Sequence, residues 1–246
     1  MSKTVHGFKE ADFSKSTRRR LPICFCLDVS GSMSGNPIKE LNEGLQSFFS
    51  SMRENEETRS AADVCVVTFG GTVDIVIPFG KLSLQKTIPN IAATTSLTPI
   101  GEGILTSLEL LSERKAGYKN LGIKYYQPWL VVITDGVPQG EEAMDNMERA
   151  IEAVCDLESH GRLVVFNIGV GQTVDYQLLK RLSIKRAEPI SIQSAQFSRL
   201  FEFLGSSSSS IISGGMREDA LYDFSGRQQG KSVALDDFIK YLEENS

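Results

Sequence analysis

The sequence predicts an α/β protein: a Rossmann-like doubly wound sheet, mostly parallel, with one antiparallel edge strand. Three observations carry this. Apolar runs at Leu21–Asp28, Ala62–Phe69, Trp129–Thr134 and Arg162–Val170 lack in–out alternation, the pattern of strands covered on both faces. Stretches with apolar residues at helical spacing separate them, and alternating strands and helices imply a parallel sheet with helices on both sides. One run is followed by Gly70-Gly71 and a return run, Val73–Ile77, which reads as a hairpin and hence an antiparallel edge.

Taken in order, residues 1–20 are polar, end in Arg18-Arg19-Arg20, and read as a flexible lead-in with a solvated basic triplet. Leu21–Asp28 is the first strand. Asn36 is placed to cap a helix with Pro37 in its first turn, and Ile38, Leu41, Leu45 and Met52 then recur at helical spacing to about Glu54. Asn55–Ser60 reads as a loop, Ala62–Phe69 as the second strand, and Pro78–Thr98 as a long connection. Gly101–Ser112 is a helix and Glu113–Gln127 a polar connection. Trp129–Thr134 is the fourth strand. Glu141–Ser159 is a helix with Met144, Met147, Ile151, Val154 and Leu157 inward. Arg162–Val170, a short helix at 176–182, a short strand at 189–192 and a helix at 195–204 complete the core domain, residues 21–213. The serine run 206–210 reads as a frayed helix end or linker. Residues 214–246 form a tail with a short helix around Leu235, Phe238, Ile239 and Leu242, too short for a core of its own.

The 246 residues suffice for one large domain, and the net charge of −5 argues against nucleic acid or an anionic membrane as the main partner. No apolar run is long enough for a transmembrane helix, and the N-terminus lacks the apolar stretch of a signal peptide, so the expected compartment is the cytoplasm. Cys24, Cys26, Cys65 and Cys155 have no zinc-site spacing and read as buried free thiols.

The chemistry concentrates after the first strand, where ICFCLDVSGSMSG breaks from apolar residues into Asp28, Ser30 and Ser32. In an extended segment these alternate positions face one way. A carboxylate and two hydroxyls suit a hard divalent cation such as Mg²⁺, with Mn²⁺ or Ca²⁺ as substitutes. In doubly wound sheets ligands sit beyond the carboxyl ends of the strands, where strand order reverses. The first and fourth strands meet there, and Asp135 ends the fourth. A further oxygen is expected from the loop 94–98. Thr98 is preferred, with Thr94, Thr95 and Ser96 as neighbouring alternatives.

Asp28-Val29-Ser30-Gly31-Ser32, then Thr98, then Asp135-Gly136 resemble the metal-ion-dependent adhesion site of the von Willebrand factor A family, over roughly residues 21–204. Thr98-Pro99-Ile100-Gly101 matches the family's context for the threonine. More narrowly, RRLPICFCLDVSGSMSGNPIKELNEGLQ, VVITDGVPQG, the GVG at 169–171 and the Phe201/Ser206 region resemble the bacterial tellurium-resistance A domains of the Y type. The resemblance implies Mg²⁺ held directly by the Ser30 and Ser32 hydroxyls. Thr98 would bind directly or through water, and Asp28 and Asp135 through bridging water. A vacant position would accept a carboxylate from a partner protein. It also implies a setting of tellurite or other chemical stress, with kinase- and phosphatase-type neighbours.

Two enzyme classes fit less well. A haloacid-dehalogenase-type phosphatase needs a second aspartate where Ser30 stands, and the G-x-S-x-G of an α/β-hydrolase would place Met33 at the nucleophile. Only His6 and His160 could act as histidine acid or base, and neither is expected near Asp28. The expectation is a binding module without catalytic residues. The rivals are a Mg²⁺-dependent hydrolase or phosphotransfer enzyme using the same cluster, and a scaffold with a vestigial metal motif.

Overall fold

The computed structural model describes residues 18–85, 87–140, 143–185, 188–221 and 232–245. Its strands are β1 (Leu21–Asp28), β2 (Ala62–Gly70), β3 (Thr72–Lys81), β4 (Trp129–Thr134), β5 (Val164–Val170), β6 (Ile190–Ile192) and β7 (Val233–Ala234). Its α-helices are α1 (Asn36–Glu54), α2 (Glu56–Ala61), α3 (Ile100–Asn120), α4 (Ala143–Ser159), α5 (Tyr176–Lys180), α6 (Phe197–Ser213) and α7 (Leu235–Asn245). The strands form one sheet in the order β3-β2-β1-β4-β5-β6-β7, parallel throughout except for β3, which runs antiparallel at one edge. The predicted fold class is therefore observed.

β1, β2, β4 and β5 are buried at every residue, as their unbroken apolar runs require. Alternate side chains supply two cores. Leu21, Ile23, Phe25 and Leu27 face α1, α6 and α7, and Phe25 meets the Phe48 ring edge-on at 5.1 Å. Cys24, Cys26, Leu130 and Val132 face α3 and α4. The helix layers approach closely where glycine permits. A Cβ on Gly101 would lie 2.4 Å from the backbone of Asn146 and Met147, so the first turn of α3 rests directly on α4.

Several expectations are corrected. Arg20 is not part of a solvated run; it is fully buried against Asp63, whose carboxylate is also gripped by Arg114 (2.9 Å) and the Tyr118 hydroxyl. Arg114 and Tyr118 lie in what read as a polar connection. They are the last turns of α3, whose polar residues recur at helical spacing because they serve this buried carboxylate. Residues 56–61 form α2 rather than a loop, capped by the Asn55 side chain, which accepts from the Glu57 and Thr58 amides at 2.9 and 3.2 Å. Asn36 does not cap α1; Gly35, at φ 85°, stands at that position. The serine run continues α6 to Ser213. Ser208 is buried and donates to the Leu204 carbonyl at 2.6 Å, because a small residue that satisfies its own hydroxyl fits against a packed neighbour. Met144 is exposed, and Cys155 is only half-buried, with its thiol 3.4 Å from the Arg181 carbonyl oxygen.

The segment set apart as a tail enters the fold. β7 pairs with β6, and Leu235, Phe238 and Leu242 of α7 are buried in the same core as Phe25. The lead-in 1–17 and the expected helix start at 141–142 lie outside the described residues.

Burial alone would raise the Asp63 carboxyl, but the Arg20 and Arg114 charges and the surrounding hydrogen bonds hold it below the usual carboxylate range. A depressed pKa gives stability that is complete above the unfolded value, about 3.9, and lost as pH falls through the folded value. Asp63→Asn is expected to lose about 3–5 kcal/mol in urea unfolding at neutral pH, since it strands two buried cations. The gap to the parent should hold above about pH 4 and close below it. Gly101→Ala is expected to lose about 1–3 kcal/mol by the same measurement, because backbone must move to admit one methyl group.

Candidate functional site

β1 and β4 are direct neighbours, with Cys26 opposite Val132 and Leu27 opposite Ile133. This is the point where the strand order reverses, and it brings the ends of both strands to one edge. Asp28 is fully buried there. Its Oδ1 accepts the Ser30 amide at 2.8 Å and its Oδ2 accepts the Thr134 hydroxyl at 2.6 Å. Ser30 is extended, but residues 31–33 form a single 3₁₀ turn, so strand alternation does not carry through to Ser32. The turn itself brings the hydroxyls together: Ser30 Oγ lies 3.1 Å from Ser32 Oγ, and Ser32 Oγ donates to Asp135 Oδ1 at 2.7 Å. Met33 faces the core, as its apolar side chain requires.

The third loop is pinned to the first two. The Val29 carbonyl accepts the Thr94 amide at 2.7 Å and the Thr94 hydroxyl at 3.2 Å, and the Leu97 carbonyl accepts the Gly71 amide at 2.6 Å. Thr94 thus braces the loop, while Thr95 and Ser96 are exposed. Thr98 is buried, and its carbonyl accepts the amides of Ile100 (2.9 Å) and Gln139 (3.1 Å). A Cβ on Gly136 would lie 3.8 Å from Thr98 Oγ1 and 3.9 Å from Asp28 Oδ2, so Gly136 leaves the space between these oxygens clear. All five predicted site residues, Asp28, Ser30, Ser32, Thr98 and Asp135, lie on three loops at one edge of the sheet.

Two further residues organise the site. Thr134 donates to Asp28 and accepts the Gly136 amide at 3.2 Å, coupling the two strand ends. Thr173 donates to the Asp135 carbonyl at 2.7 Å from the loop after β5. Thr134 was visible only as the last residue of an apolar run, and nothing in the spacing pointed to Thr173.

Burial raises the Asp28 carboxyl above its ordinary range; the hydrogen bonds from Ser30 and Thr134 pull it back, and nearby Asp135 adds to the rise. Burial likewise raises Asp135, against the hydrogen bond from Ser32. Both carboxylates would be relieved by a cation. Among the described residues no three His, Cys, Asp or Glu side chains gather into a metal cluster, so hydroxyls must complete any shell at this edge. The donor set fits a hard ion. Neighbouring oxygens of an octahedral Mg²⁺ shell lie about 3.0 Å apart, and the hydrogen-bonded oxygens of Ser30, Ser32 and Asp135 are near enough to one another to share such a shell. No histidine of the described residues is near. His160 is exposed beyond the far end of α4, 3.4 Å from Asp156; His6 lies outside the described residues.

The von Willebrand factor type A domain family model matches residues 23–204. The chain is 27% identical over 169 residues to inter-alpha-trypsin inhibitor heavy chain H3 of Rattus norvegicus, across 66% of this chain and 18% of the relative. To heavy chain H1 of Bos taurus it is 24% identical over 187 residues, 74% of this chain and 19% of the relative. The chain thus spans under a fifth of the length of these curated relatives. Among solved structures it resembles the vWF domain of the type V pili tip protein Mfa5 from Porphyromonas gingivalis, with a TM-score of 0.58 at 10% identity over 87% of this chain and 99% of that one. It also resembles the PilB minor pilin of Streptococcus sanguinis, with a TM-score of 0.57 at 12% identity over 79% of this chain and 62% of that one. At such identities the structures establish the fold alone, whereas the family model covers most of the chain. The chain belongs to the von Willebrand factor type A domain family.

Proposed function

We propose that the chain is a non-catalytic, Mg²⁺-dependent protein-binding module that engages a carboxylate of a partner protein through Asp28, Ser30, Ser32, Thr98 and Asp135. The observation that carries this reading is the convergence of two buried carboxylates with the hydrogen-bonded hydroxyls of Ser30 and Ser32 on one edge. Ser30 and Ser32 supply neutral direct ligands. Asp28 and Asp135, already engaged by hydroxyl donors, are suited to act through water. A shell of mostly neutral ligands leaves the ion electropositive enough to attract an outside carboxylate.

The rim supports a protein partner over a small anion. Five large apolar side chains are exposed among the described residues, and three of them, Leu97 (52%), Val137 (37%) and Met144 (51%), border this edge. Leu97 adjoins Thr98, Val137 follows Gly136, and a Cβ on Gly140 would lie 3.8 Å from Leu97 Cδ1. Apolar side chains around a polar centre are the pattern of a docking surface. A bacterial, cytoplasmic stress-resistance setting with kinase- or phosphatase-type neighbours is part of the proposal and rests on the motif resemblance alone. Among the described residues no helix is long and apolar enough to cross a membrane.

A phosphotransfer or hydrolytic role has less support, since neither described carboxylate has a histidine near it. The experiment is a thermal-shift titration with Mg²⁺ or Mn²⁺, followed by partner capture with and without EDTA. At 100 times Kd the metal is expected to add about 2.7 kcal/mol of stability to the parent and none to Asp28→Ala. Capture should vanish in EDTA and in Asp28→Ala. Capture that survives both would favour a scaffold with a vestigial site, and ester or phosphate turnover lost in Asp28→Ala would establish an enzyme.

A further inference from the structure

At the opposite end of the sheet, below the start of β4, lies a cavity of about 730 Å³. It is lined by Lys115 and Lys119 from the last turns of α3, Arg162 from the connection before β5, Arg19 from the approach to β1, and Tyr125 and Tyr126. The chain as a whole is acidic, at −5, yet four cationic side chains line this one hollow. The acidic residue of the lining, Glu218, is already engaged: its Oε1 lies 3.0 Å from Arg19 Nη2 and its Oε2 accepts the Gln127 amide at 2.6 Å. Arg19 also stacks over the Tyr126 ring at 4.0 Å. Among the described residues no carboxylate pairs with Lys115, Lys119 or Arg162.

Like charges held together without a counter-ion are destabilising. Lys115 and Lys119 stand four apart on one helix face, the spacing at which like charges repel. The α3 carboxyl end offers both lysines some compensation through its dipole. That does not account for Arg162, which comes from a different element. Nor does it account for the half-buried position of Lys115, whose amine is pushed below its ordinary range first by burial and then by Lys119 and Arg162. An anion seated among the three would supply the missing charge. The volume lies within the range of small-molecule sites, well above what a single small ion fills. Lysine ammoniums and an arginine fork are phosphate-binding groups, and Tyr125 and Tyr126 form part of the same wall.

We propose that this cavity is a second ligand site, separate from the Asp28 edge, that takes a compound carrying two or more linked phosphate groups, such as inorganic pyrophosphate or a nucleoside diphosphate. The site does not depend on the metal-binding reading, since it shares no residue with it and lies at the other end of α3. The test is isothermal titration calorimetry of the full chain with inorganic pyrophosphate and, separately, ADP, in metal-depleted buffer at two NaCl concentrations. The expected result is saturable one-to-one binding that weakens as salt rises. Lys119→Gln and Arg162→Gln, both at exposed positions and so safe for folding, should each weaken it about tenfold. Asp28→Ala should leave it unchanged. Equal affinity for both probes would locate recognition in the phosphates, and tighter ADP binding would add the ring; both outcomes support the site. The proposal is overturned if neither probe saturates by about 1 mM, if ADP binds and pyrophosphate does not, or if the Lys119→Gln/Arg162→Gln double variant, shown to be folded by circular dichroism, binds like the parent.

Discussion

The carboxyl-end site depends on β1 and β4 being parallel neighbours. Parallel pairing sends both strands to the same edge, so an aspartate closing one meets an aspartate just past the other. In an antiparallel pair the two would stand at opposite ends of the sheet. The register is not free to slip, because a shift of one residue would exchange Phe25 and Leu27 for Cys24 and Cys26 across the two cores. Burial on both faces thus fixes the separation of Asp28 and Thr134 to within a hydrogen bond, and the short turn 31–33 completes the cluster.

α3 ties this edge to the base of the molecule. Its first turn follows Thr98 and rests on α4 through Gly101, and its last turns deliver Arg114 and Tyr118 to Asp63. A buried ionic group of this kind stabilises little in net terms, because desolvation offsets much of the attraction. Its larger effect is on choice. Arg20 precedes β1, Asp63 is the second residue of β2, and Arg114 comes from the helix between β3 and β4. Any packing that separates the three leaves a charge in the core without a partner. The helix carrying the site's third loop is therefore set along its axis from below.

What could be read from the residues alone followed from periodicity and from local order of parts. Continuous apolar runs gave the central strands, Gly70-Gly71 gave the antiparallel edge, and the aspartates at the end of β1 and just past β4 gave the site's location. What could not be read was any polar residue serving a partner distant in sequence. Arg20, Arg114 and Tyr118 look like surface residues until Asp63 is placed beside them. The serines of α6 look like a linker until their hydroxyls are seen bonding back to the helix. Asn55 caps a helix whose six residues have no apolar stripe to announce it. Thr173 reaches Asp135 through a carbonyl, which leaves no trace in side-chain pattern. The segment beyond residue 213 is compositionally ambiguous, and the pairing of Val233 with Ile190 together with the burial of Leu235, Phe238 and Leu242 shows where residues 233–242 go.

That last pairing has a consequence for life at high concentration. An open sheet has two rims of unpaired backbone, each a template for another chain's strand. Among the described residues one rim is β7, two residues long and followed at once by α7, which offers little backbone to copy. The other is β3, which carries Pro78 and Lys81 and shifts register beside Val66, breaking the flat ladder that stacking requires. Among the described residues both rims thus carry the features that discourage strand-to-strand growth between molecules.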